Sequence, residues 1–429
     1  MKILCVSPSS PVFDKTLHYF QAVFSSTSAY LKTRFPQAEV VTEAAGLTGA
    51  PERVIVRHLS RCQAPDFLVL WVRVWEAPAA RQLAVLAREL CPNLKILVWG
   101  ESCVYIPQYF RRAPFDAMVV SGDWERVLAD AIERLGQGLD PLHGMEFRWG
   151  ADWSETAQGL VLPPAEWPFP DPAAIDPAGY HTARLHREKL TDDLSFTISR
   201  GCPINCAPWC PTPRKEGVRD RRRPVDQTLD YLAAGPDPYQ LFQLHSPLLV
   251  QDREWIRQLV ERKRQRCPEV PFKSVDLVNP YAEEALVAEL ASVGMRGIGF
   301  GIETLAADPR RRLTPKVDER LLEQVAANFH RHGVEGKAYT QVGLPGQRRE
   351  DVLYTHRLLL DLGFTPRPTG ATPFWKLRSK SVEELDAMDL SRWDRKSYFD
   401  PRCGLSLAEF FQLITSPRSF QAQEALWVA

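Results

Sequence analysis

Three cysteines, Cys202, Cys206 and Cys210, fall within nine residues of a chain of 429 residues. The apolar, strand-like run Leu194 to Ile198 comes just before them and is followed by a Ser-Arg-Gly turn. A loop at the end of a strand can bring three thiolates to one side of an iron–sulfur cluster, for which cysteine is the usual protein ligand. Three ligands for four irons leave one iron open. The sequence therefore predicts a [4Fe–4S] cluster with one iron available to an outside ligand.

Two other uses of these thiols are weighed against the cluster. A zinc site usually has four ligands at short, regular spacing, and His181 and His186 are separated from the loop by the predicted strand. A disulfide framework is disfavoured because nine cysteines in 429 residues is a sparse, odd count, and the first residues hold too short an apolar stretch for a signal peptide.

The residues from Ser199 to Pro203, with two more cysteines after them, resemble the signature of radical S-adenosylmethionine (SAM) enzymes. Members of that family typically show C-x3-C-x2-C with an aromatic residue before the third cysteine. Here Trp209 holds the aromatic place, but the spacing is C-x3-C-x3-C, so Ala207 or Pro208 is an extra residue. The resemblance implies that SAM binds the open iron, and the insertion changes the geometry of the loop rather than its three thiolates.

Charge and hydropathy exclude several partners. Lys plus Arg and Asp plus Glu number 53 each, so no global field attracts nucleic acid or a membrane surface. No apolar run approaches the roughly 18 residues that span a bilayer. We therefore expect a cytoplasmic monomer that acts on a small molecule, without nucleic-acid or membrane partners.

Residues 1–140 alternate between strand and helix patterns. The continuous apolar runs Ile3 to Val6, Phe67 to Val72 and Leu94 to Gly100 are typical of buried parallel strands. Helical spacing separates them, for example over Ala77 to Leu90. This part is predicted to form an α/β, Rossmann-like domain with a doubly wound parallel sheet, whose ligands lie beyond the carboxyl ends of the strands.

The order of these elements is similar to the cobalamin-binding domain that precedes the radical core in one branch of the SAM enzymes. The Asp-x-His-x-x-Gly motif that supplies a histidine to cobalt elsewhere is absent, which argues against a histidine-ligated cobalt. By the same resemblance, Trp75 is a candidate to cover the cobalt from below, and ordinary packing at a strand end is the alternative. The resemblance implies cobalamin contacts in the loops after the strands, at Pro8, Ser9, Arg73, Trp75, Gly100, Glu101, Ser121 and Gly122.

The remaining chain is predicted in three parts. Residues 141–190 are rich in proline and tryptophan and are predicted to be an extended linker. Residues 191–375 alternate again and are predicted to form a partial (β/α) barrel with strands near 194–198, 240–244, 272–277, 297–303, 337–342 and 368–374. Residues 376–429 are predicted to be a short, helical C-terminal segment.

Several residues at the ends of these strands match the SAM-contacting positions of the family. Glu303 and Gly301 resemble the acidic end of the fourth strand, and Gly343, Pro345 and Gly346 resemble a turn beside the adenine. Ser246 stands where many members have paired glycines. The catalytic candidates are Tyr339, Gln341 and His245, the last as a proton carrier, while Lys337, Lys273 and Asp276 are further residues that can point into the barrel.

Taken with the resemblance, these features predict a cobalamin-dependent C-methyltransferase that works through methylcobalamin and a 5′-deoxyadenosyl radical. A flavodoxin or ferredoxin is expected as the electron donor. Three alternatives stay open: a non-methylating rearrangement, ring contraction or cyclisation; a SAM-radical enzyme whose first domain binds no corrin; and an iron–sulfur redox or structural protein without SAM turnover.

Overall fold

The computed structural model describes residues 1–8, 20–45, 50–60, 64–150, 152–154, 156–171, 193–204, 210, 212–235, 241–308 and 317–415. The chain divides into two compact units, which are described separately. The first consists of Met1–Arg222 and Pro373–Trp393, and the second of Arg223–Thr372 and Asp394–Ala429.

The first unit is built on a seven-stranded sheet in the order β2-β1-β3-β4-β5-β6-β7. Strands β1 to β5 are parallel, whereas β6 and β7 are antiparallel additions at one edge. The Rossmann-like parallel sheet is thus confirmed, and it continues into residues predicted to be linker. The strands are β1 Lys2–Ser7, β2 Glu39–Ala44, β3 Phe67–Trp71, β4 Lys95–Trp99, β5 Ala117–Val119, β6 Met145–Trp149 and β7 Asp152–Trp153.

Apolar periodicity explains the helices of this unit. In Ala77–Leu90 the buried residues Ala80, Leu83, Ala84 and Ala87 recur at helical spacing and face the sheet. Trp124–Gln137 ends at Gly138, whose left-handed backbone closes the last turn. The other helices and single turns before residue 222 are Phe20–Ser25, Ser26–Arg34, Pro51–Leu59, Val74–Glu76, Glu101–Tyr105, Pro107–Phe110, Pro164–Glu166 and Thr212–Glu216.

A late segment of the chain completes the core of the first unit. Short helices at Phe374–Ser379, Val382–Asp386 and Leu390–Arg392 bring Phe374 and Leu385 into the same buried cluster as the sheet residues Leu70 and Val98. Three further strands, β8 Asp193–Thr197, β9 Ser199–Arg200 and β10 Arg221–Arg222, belong to the first unit, where β9 and β10 pair antiparallel.

The second unit holds five parallel strands side by side in the order β15-β14-β13-β12-β11. Their bounds are β11 Leu241–His245, β12 Phe272–Asp276, β13 Met295–Glu303, β14 Glu335–Val342 and β15 Thr365–Gly370. The parallel arrangement is as predicted, but the strand expected at 368–374 begins and ends earlier. Closure into a partial barrel stays a prediction.

Helices cover one face of these strands. Phe300 of β13 stacks on Phe329, and Phe364 packs edge-on against both rings. The helices and single turns are Val225–Ala234, Leu249–Gln251, Arg253–Arg266, Asn279–Ala282, Glu284–Ser292, Glu319–His332, Arg349–Asp361 and Leu407–Thr415. Within the described ranges, no helix combines the length and apolar character that a membrane span needs.

Candidate functional site

Two of the three predicted cluster ligands lie within the described residues. Cys202 is buried and Cys210 is half-buried, whereas Cys206 lies outside the described ranges. Burial raises the pKa of the Cys202 thiol, and the charge of nearby Cys210 raises it further. The described residues alone hold no group of three metal-binding side chains, since one of the three cysteines lies outside them.

The backbone at the base of the loop is tightly constrained. Gly201 has a φ of 84°, and a Cβ there would lie 2.0 Å from the carbonyl oxygen of Arg219. Only glycine fits such a position. The N–H of Cys202 donates to the Gly217 carbonyl over 3.1 Å, and the N–H of Gly201 donates to the Glu216 carboxylate over 3.2 Å. The first ligand thus starts from a fixed backbone.

Three buried polar atoms that have no hydrogen-bond partner among the described residues mark the carboxyl ends of β1 and β4. They are Ser7 Oγ, Trp99 Nε1 and Glu101 Oε1. The sheet register places Ser7 and Trp99 in the same terminal row as Trp71. Buried polar groups are nearly always satisfied in folded proteins. This edge of the sheet therefore suits a polar ligand, and it includes the predicted cobalamin contact Glu101.

The glycines at the same edge are required by the chain itself. A Cβ on Gly100, which has a φ of 114°, would lie 2.6 Å from the Val72 carbonyl oxygen. A Cβ on Gly122 would lie 2.7 Å from the carbonyl oxygen of Leu160. Close protein backbone accounts for both residues, so the glycines by themselves do not indicate a ligand.

The other predicted contacts at this edge have mixed placements. Ser121 accepts a hydrogen bond from the N–H of Gly159 over 2.9 Å, so its hydroxyl already holds the covering segment. Pro8 is buried at the end of β1, and Ser9 lies outside the described residues. Their contact with cobalamin stays a prediction.

Arg73 and Trp75 form a packed group after β3. The Arg73 guanidinium lies 4.6 Å from the centre of a Trp75 ring and donates to Glu76 over 2.6 Å and 3.0 Å. The ring centre of Phe374 lies 6.4 Å from that of Trp75. Trp75 is half-buried, so both a packing role and the predicted role beneath cobalt remain compatible with its position.

In the second unit, the strand register brings the catalytic candidates to one face. Gln243 aligns with Glu335 through β12 and β13. Residues two, four and six positions farther along each strand share that face, which includes His245, Tyr339 and Gln341. This surface, opposite the helices, is called the open face below.

The register also corrects one expectation. Lys273 and Lys337 lie on the open face, but Asp276 lies on the opposite one. Its carboxylate accepts hydrogen bonds from the Val250 N–H over 2.8 Å and from the Tyr281 hydroxyl over 3.1 Å. Asp276 therefore joins elements on the helix side of the sheet and does not point into the predicted barrel.

Tyr339 lies across the glycines of β13. A Cβ on Gly299 would come within 2.6 Å of the Tyr339 ring, so glycine makes room for this ring. The side chain is 40% exposed, yet burial by surrounding protein atoms raises the pKa of its hydroxyl while Arg367 opposes the rise. A ring that is enclosed by the sheet but open on one side fits contact with a bound molecule.

Glu303 ends β13 in a strained conformation. Its φ of 65° is the only positive value for a non-glycine residue in the described part of the chain. The carboxylate bends back so that Oε1 lies 3.1 Å from where a Gly301 Cβ would be. Left-handed backbone costs a non-glycine residue about 1–3 kcal/mol and is frequent at functional sites. The predicted SAM contacts Glu303 and Gly301 are thus brought together.

The turn after β14 is organised by Gln347, which the sequence reasoning missed. Its side-chain oxygen accepts hydrogen bonds from the N–H groups of Gly343 and Leu344 at 2.7 Å and 3.2 Å. Its amide nitrogen donates to Thr304 Oγ1 over 3.0 Å, which ties the turn to the residue after Glu303. The end of β13 and the predicted adenine turn therefore form one hydrogen-bonded group.

Other parts of this turn are more open. Pro345 and Gly346 are exposed, and Pro345 pairs in a β-bridge with Cys403. Ser246 is buried and accepts a hydrogen bond from the Leu248 N–H over 3.2 Å, so its hydroxyl stabilises its own loop. The predicted contact of Ser246 with SAM remains a prediction.

The family comparison covers the part of the chain that holds the three cysteines. Residues 196–359 match the family model described as the radical SAM superfamily. No sequence among the curated proteins matches the chain.

Two solved structures share the fold of both units. The radical S-adenosylmethionine methyltransferase TsrM from Kitasatospora setae, solved with a tryptophan substrate and a SAM analogue, has a TM-score of 0.64 and 15% identity. That alignment covers 86% of this chain and 72% of TsrM. The cobalamin-dependent SAM radical enzyme OxsB, solved with aqua-cobalamin and SAM, also has a TM-score of 0.64 and 15% identity. All of this chain is covered there, but it spans only 61% of OxsB.

Proposed function

We propose that this protein is a cobalamin-dependent radical SAM enzyme that methylates a carbon atom of a small molecule. Its residues 196–359 match the radical SAM superfamily model. The observation that carries the proposal is the position of Cys202, Cys206 and Cys210 in the sequence, inside this matched range and just after β9. TsrM, solved with cobalamin and a [4Fe–4S] cluster, and OxsB share the fold, which supports the choice of cofactors.

The three cysteines are proposed to hold a [4Fe–4S] cluster, which when bound keeps one iron for SAM and supplies the electron that cleaves it. The chain fixes the backbone of Cys202 through Gly201 and Gly217, so the first thiolate is presented without a search of conformations. Glu303 and the turn at Gly343, joined through Gln347 and Thr304, are proposed to hold the ribose and adenine ends of SAM.

Cobalamin, which can carry a methyl group when bound, is proposed to lie at the carboxyl edge of the first sheet. The unsatisfied atoms of Ser7, Trp99 and Glu101 fit its amide-rich periphery, which offers both donors and acceptors. Tyr339 and Gln341 are proposed to contact the substrate, because they share the open face and Tyr339 is accessible there. The strands behind them exclude water from one side of that face.

A second candidate is a non-methylating radical reaction with the same cofactors. It is favoured by the extra residue in the cysteine loop, which departs from the spacing typical of the family. The two candidates share every proposed cofactor contact and differ only in the fate of the methyl group.

Anaerobic reconstitution with iron, sulfide and hydroxocobalamin tests both. The proposed enzyme retains corrin through gel filtration and releases 5′-deoxyadenosine from SAM with a reductant. Methyl-labelled SAM transfers its label to the corrin if the enzyme methylates, whereas the alternative yields 5′-deoxyadenosine without that transfer.

Cys202→Ala should abolish iron binding and 5′-deoxyadenosine formation. Cys91→Ala, at a half-buried thiol outside the loop, is the control that should retain both. A wild-type protein without iron, or without 5′-deoxyadenosine release, would overturn the proposal.

A further inference from the structure

Four charged side chains of the first unit form a buried ion-pair group, called the charge quartet below. Arg200 donates to Glu125 over 2.5 Å and 3.0 Å and lies 3.2 Å from Asp123. Arg221 donates to both carboxylate oxygens of Asp123 over 2.7 Å and 2.9 Å. Such two-pronged pairs between arginine and carboxylate are the strongest and best-oriented ion pairs in proteins.

The quartet is shielded from solvent. All four side chains are at most 14% exposed, and Trp167 covers both guanidiniums at 4.7 Å and 5.6 Å from its ring centre. Burial opposes ionisation of Asp123, but the two arginines outweigh it and lower the pKa of its carboxyl group. The quartet pairs two guanidiniums with two carboxyl groups, so its formal charges sum to zero.

The quartet connects two parts of the proposed site. Arg200 and Arg221 are direct partners in the β9–β10 pair, and Arg200 precedes Cys202 by two residues. Asp123 and Glu125 begin the helix Trp124–Gln137, just after the predicted cobalamin contacts at the end of β5. The base of the cysteine loop is thus fixed by side chains to the ligand-binding edge of the first sheet.

From this arrangement we infer that Arg200 is a positioning residue for the cysteine loop and that the charge quartet sets the reduction potential of the cluster. The inference rests on the proposed function, since it requires a cluster on Cys202, Cys206 and Cys210. Buried charges are poorly screened by solvent, and the potential of an iron–sulfur cluster depends on nearby charge. Because the quartet is neutral, removal of one member leaves a net charge of known sign beside the loop.

The test is a redox titration of the reconstituted full-length protein, followed by the electron paramagnetic resonance signal of the reduced cluster without SAM. Asp123→Asn and Glu125→Gln keep the shape of each side chain and leave one extra positive charge, so both should raise the potential. Arg200→Met leaves one extra negative charge and should lower it. A merely structural role cannot produce shifts of opposite sign.

Arg200→Lys and Arg88→Met complete the set. Lysine keeps the charge but not the two-pronged geometry, so the potential should stay near that of the wild type while less iron is bound. Arg88 pairs with Asp116 at the opposite, amino end of β5 and also binds three backbone carbonyls. Its loss disturbs the same unit without changing the charge at the loop, so the potential should not move.

The outcomes separate this inference from the proposed function. A wild-type protein that binds no cluster overturns both. A wild-type cluster whose potential is unchanged, or shifted in the same direction, by Asp123→Asn and Arg200→Met overturns the inference alone. If Arg200→Met does not fold, the two shape-preserving variants still decide: failure of both to raise the potential refutes the electrostatic role.

Discussion

Gln347 accepts a hydrogen bond from the backbone N–H of Gly343 over 2.7 Å and is itself fully buried. Gly343 has a φ of 88°, so the turn after β14 depends on a glycine and on one amide side chain. That amide also reaches Thr304 and the Gln341 carbonyl. One side chain therefore maintains the group that is proposed to hold SAM.

Substitution of Gln347 should weaken SAM binding and the fold together. Gln347→Leu leaves buried backbone N–H groups unsatisfied, and each costs about 1–3 kcal/mol. Gln347→Glu keeps the acceptor but loses the donor to Thr304 and puts a carboxyl group at a fully buried position, so it should also destabilise the fold. SAM affinity by equilibrium dialysis under anaerobic conditions and the unfolding midpoint in urea are the measurements. Gln258→Leu, at a half-buried helix position outside the turn, is the control, and equal effects at both sites would contradict the assigned role.

His356 should make the stability of the protein depend on pH. Its Nε2 lies 3.0 Å from Thr340 Oγ1, and burial lowers the pKa of the imidazole to about 4. In the unfolded chain the imidazole has a pKa near 6.5, so as the pH falls it is protonated before the folded form is. The contribution of His356 to the free energy of unfolding is therefore complete above about pH 6.5 and is lost between pH 6.5 and 4. The loss from pH 7 to pH 5 is about 2 kcal/mol.

His356→Gln removes the titration and keeps a polar partner for Thr340. Between pH 7 and pH 5, the free energy of unfolding of the wild type should therefore fall by about 2 kcal/mol more than that of His356→Gln. Urea unfolding at pH 7 and pH 5 measures the difference. His332→Gln, at an exposed ion pair with Glu284, is the matched histidine control. Parallel pH profiles for wild type and His356→Gln would refute the assignment.

Two glycines on neighbouring strands should respond differently to alanine. A Cβ on Gly336 would come within 2.2 Å of the Phe364 ring, on the helix-covered face. Overpacking of this kind typically costs about 1–3 kcal/mol, so Gly336→Ala should lower the thermal midpoint clearly. For a Cβ on Gly301, the neighbour within 4 Å in the described part of the chain is the flexible end of Glu303. Gly301→Ala should leave stability nearly unchanged, and thermal unfolding of both variants checks the contrast.

Removal of an unsatisfied polar atom should stabilise the apo protein while it weakens corrin binding. Ser7→Ala and Glu101→Leu remove atoms that have no hydrogen-bond partner among the described residues, so the apo thermal midpoint should rise or stay constant. Corrin retained through gel filtration should fall. Ser102→Ala is the control, because its hydroxyl already donates to the Val72 carbonyl over 2.7 Å. Ser102→Ala should lose about 1 kcal/mol of stability without a specific loss of corrin. Unchanged corrin retention in the first two variants would argue against this edge of the sheet as the cobalamin site.

Local sequence patterns predicted much of the fold. The helices Ala77–Leu90 and Arg253–Arg266 begin and end where their apolar spacing does, and the parallel strands follow the continuous apolar runs. The last strand was misplaced because Pro366 and Pro368 fall inside it. Proline lacks a backbone donor and is tolerated in such an outer strand, but in a sequence it is typical of a strand boundary.

The antiparallel strand β6 was missed for a related reason. Its short alternation, from Met145 to Trp149, stands beside a proline-rich stretch whose composition is typical of a linker. The pairing of β6 with β5 provides the hydrogen bonds that define it, and no local pattern contains that information.

The site was less predictable than the fold. The motifs located the cysteines and Glu303, but the face that each strand residue occupies depends on register, which placed Asp276 on the helix side. Gln347 and the charge quartet act through residues far apart in sequence, such as Asp123 and Arg221. One amino-acid sequence by itself does not show which distant positions are in contact.

The interleaving of the two units has a consequence for how the protein is made. Pro373–Trp393 supplies Phe374 and Leu385 to the core of the first unit. Most of the second unit, Arg223–Thr372, lies in the sequence between this segment and the rest of the first unit. On the ribosome the first unit therefore cannot complete its interior until nearly the whole polypeptide has been synthesised. Nascent chains stalled before residue 373 should remain loosely packed and depend on chaperones.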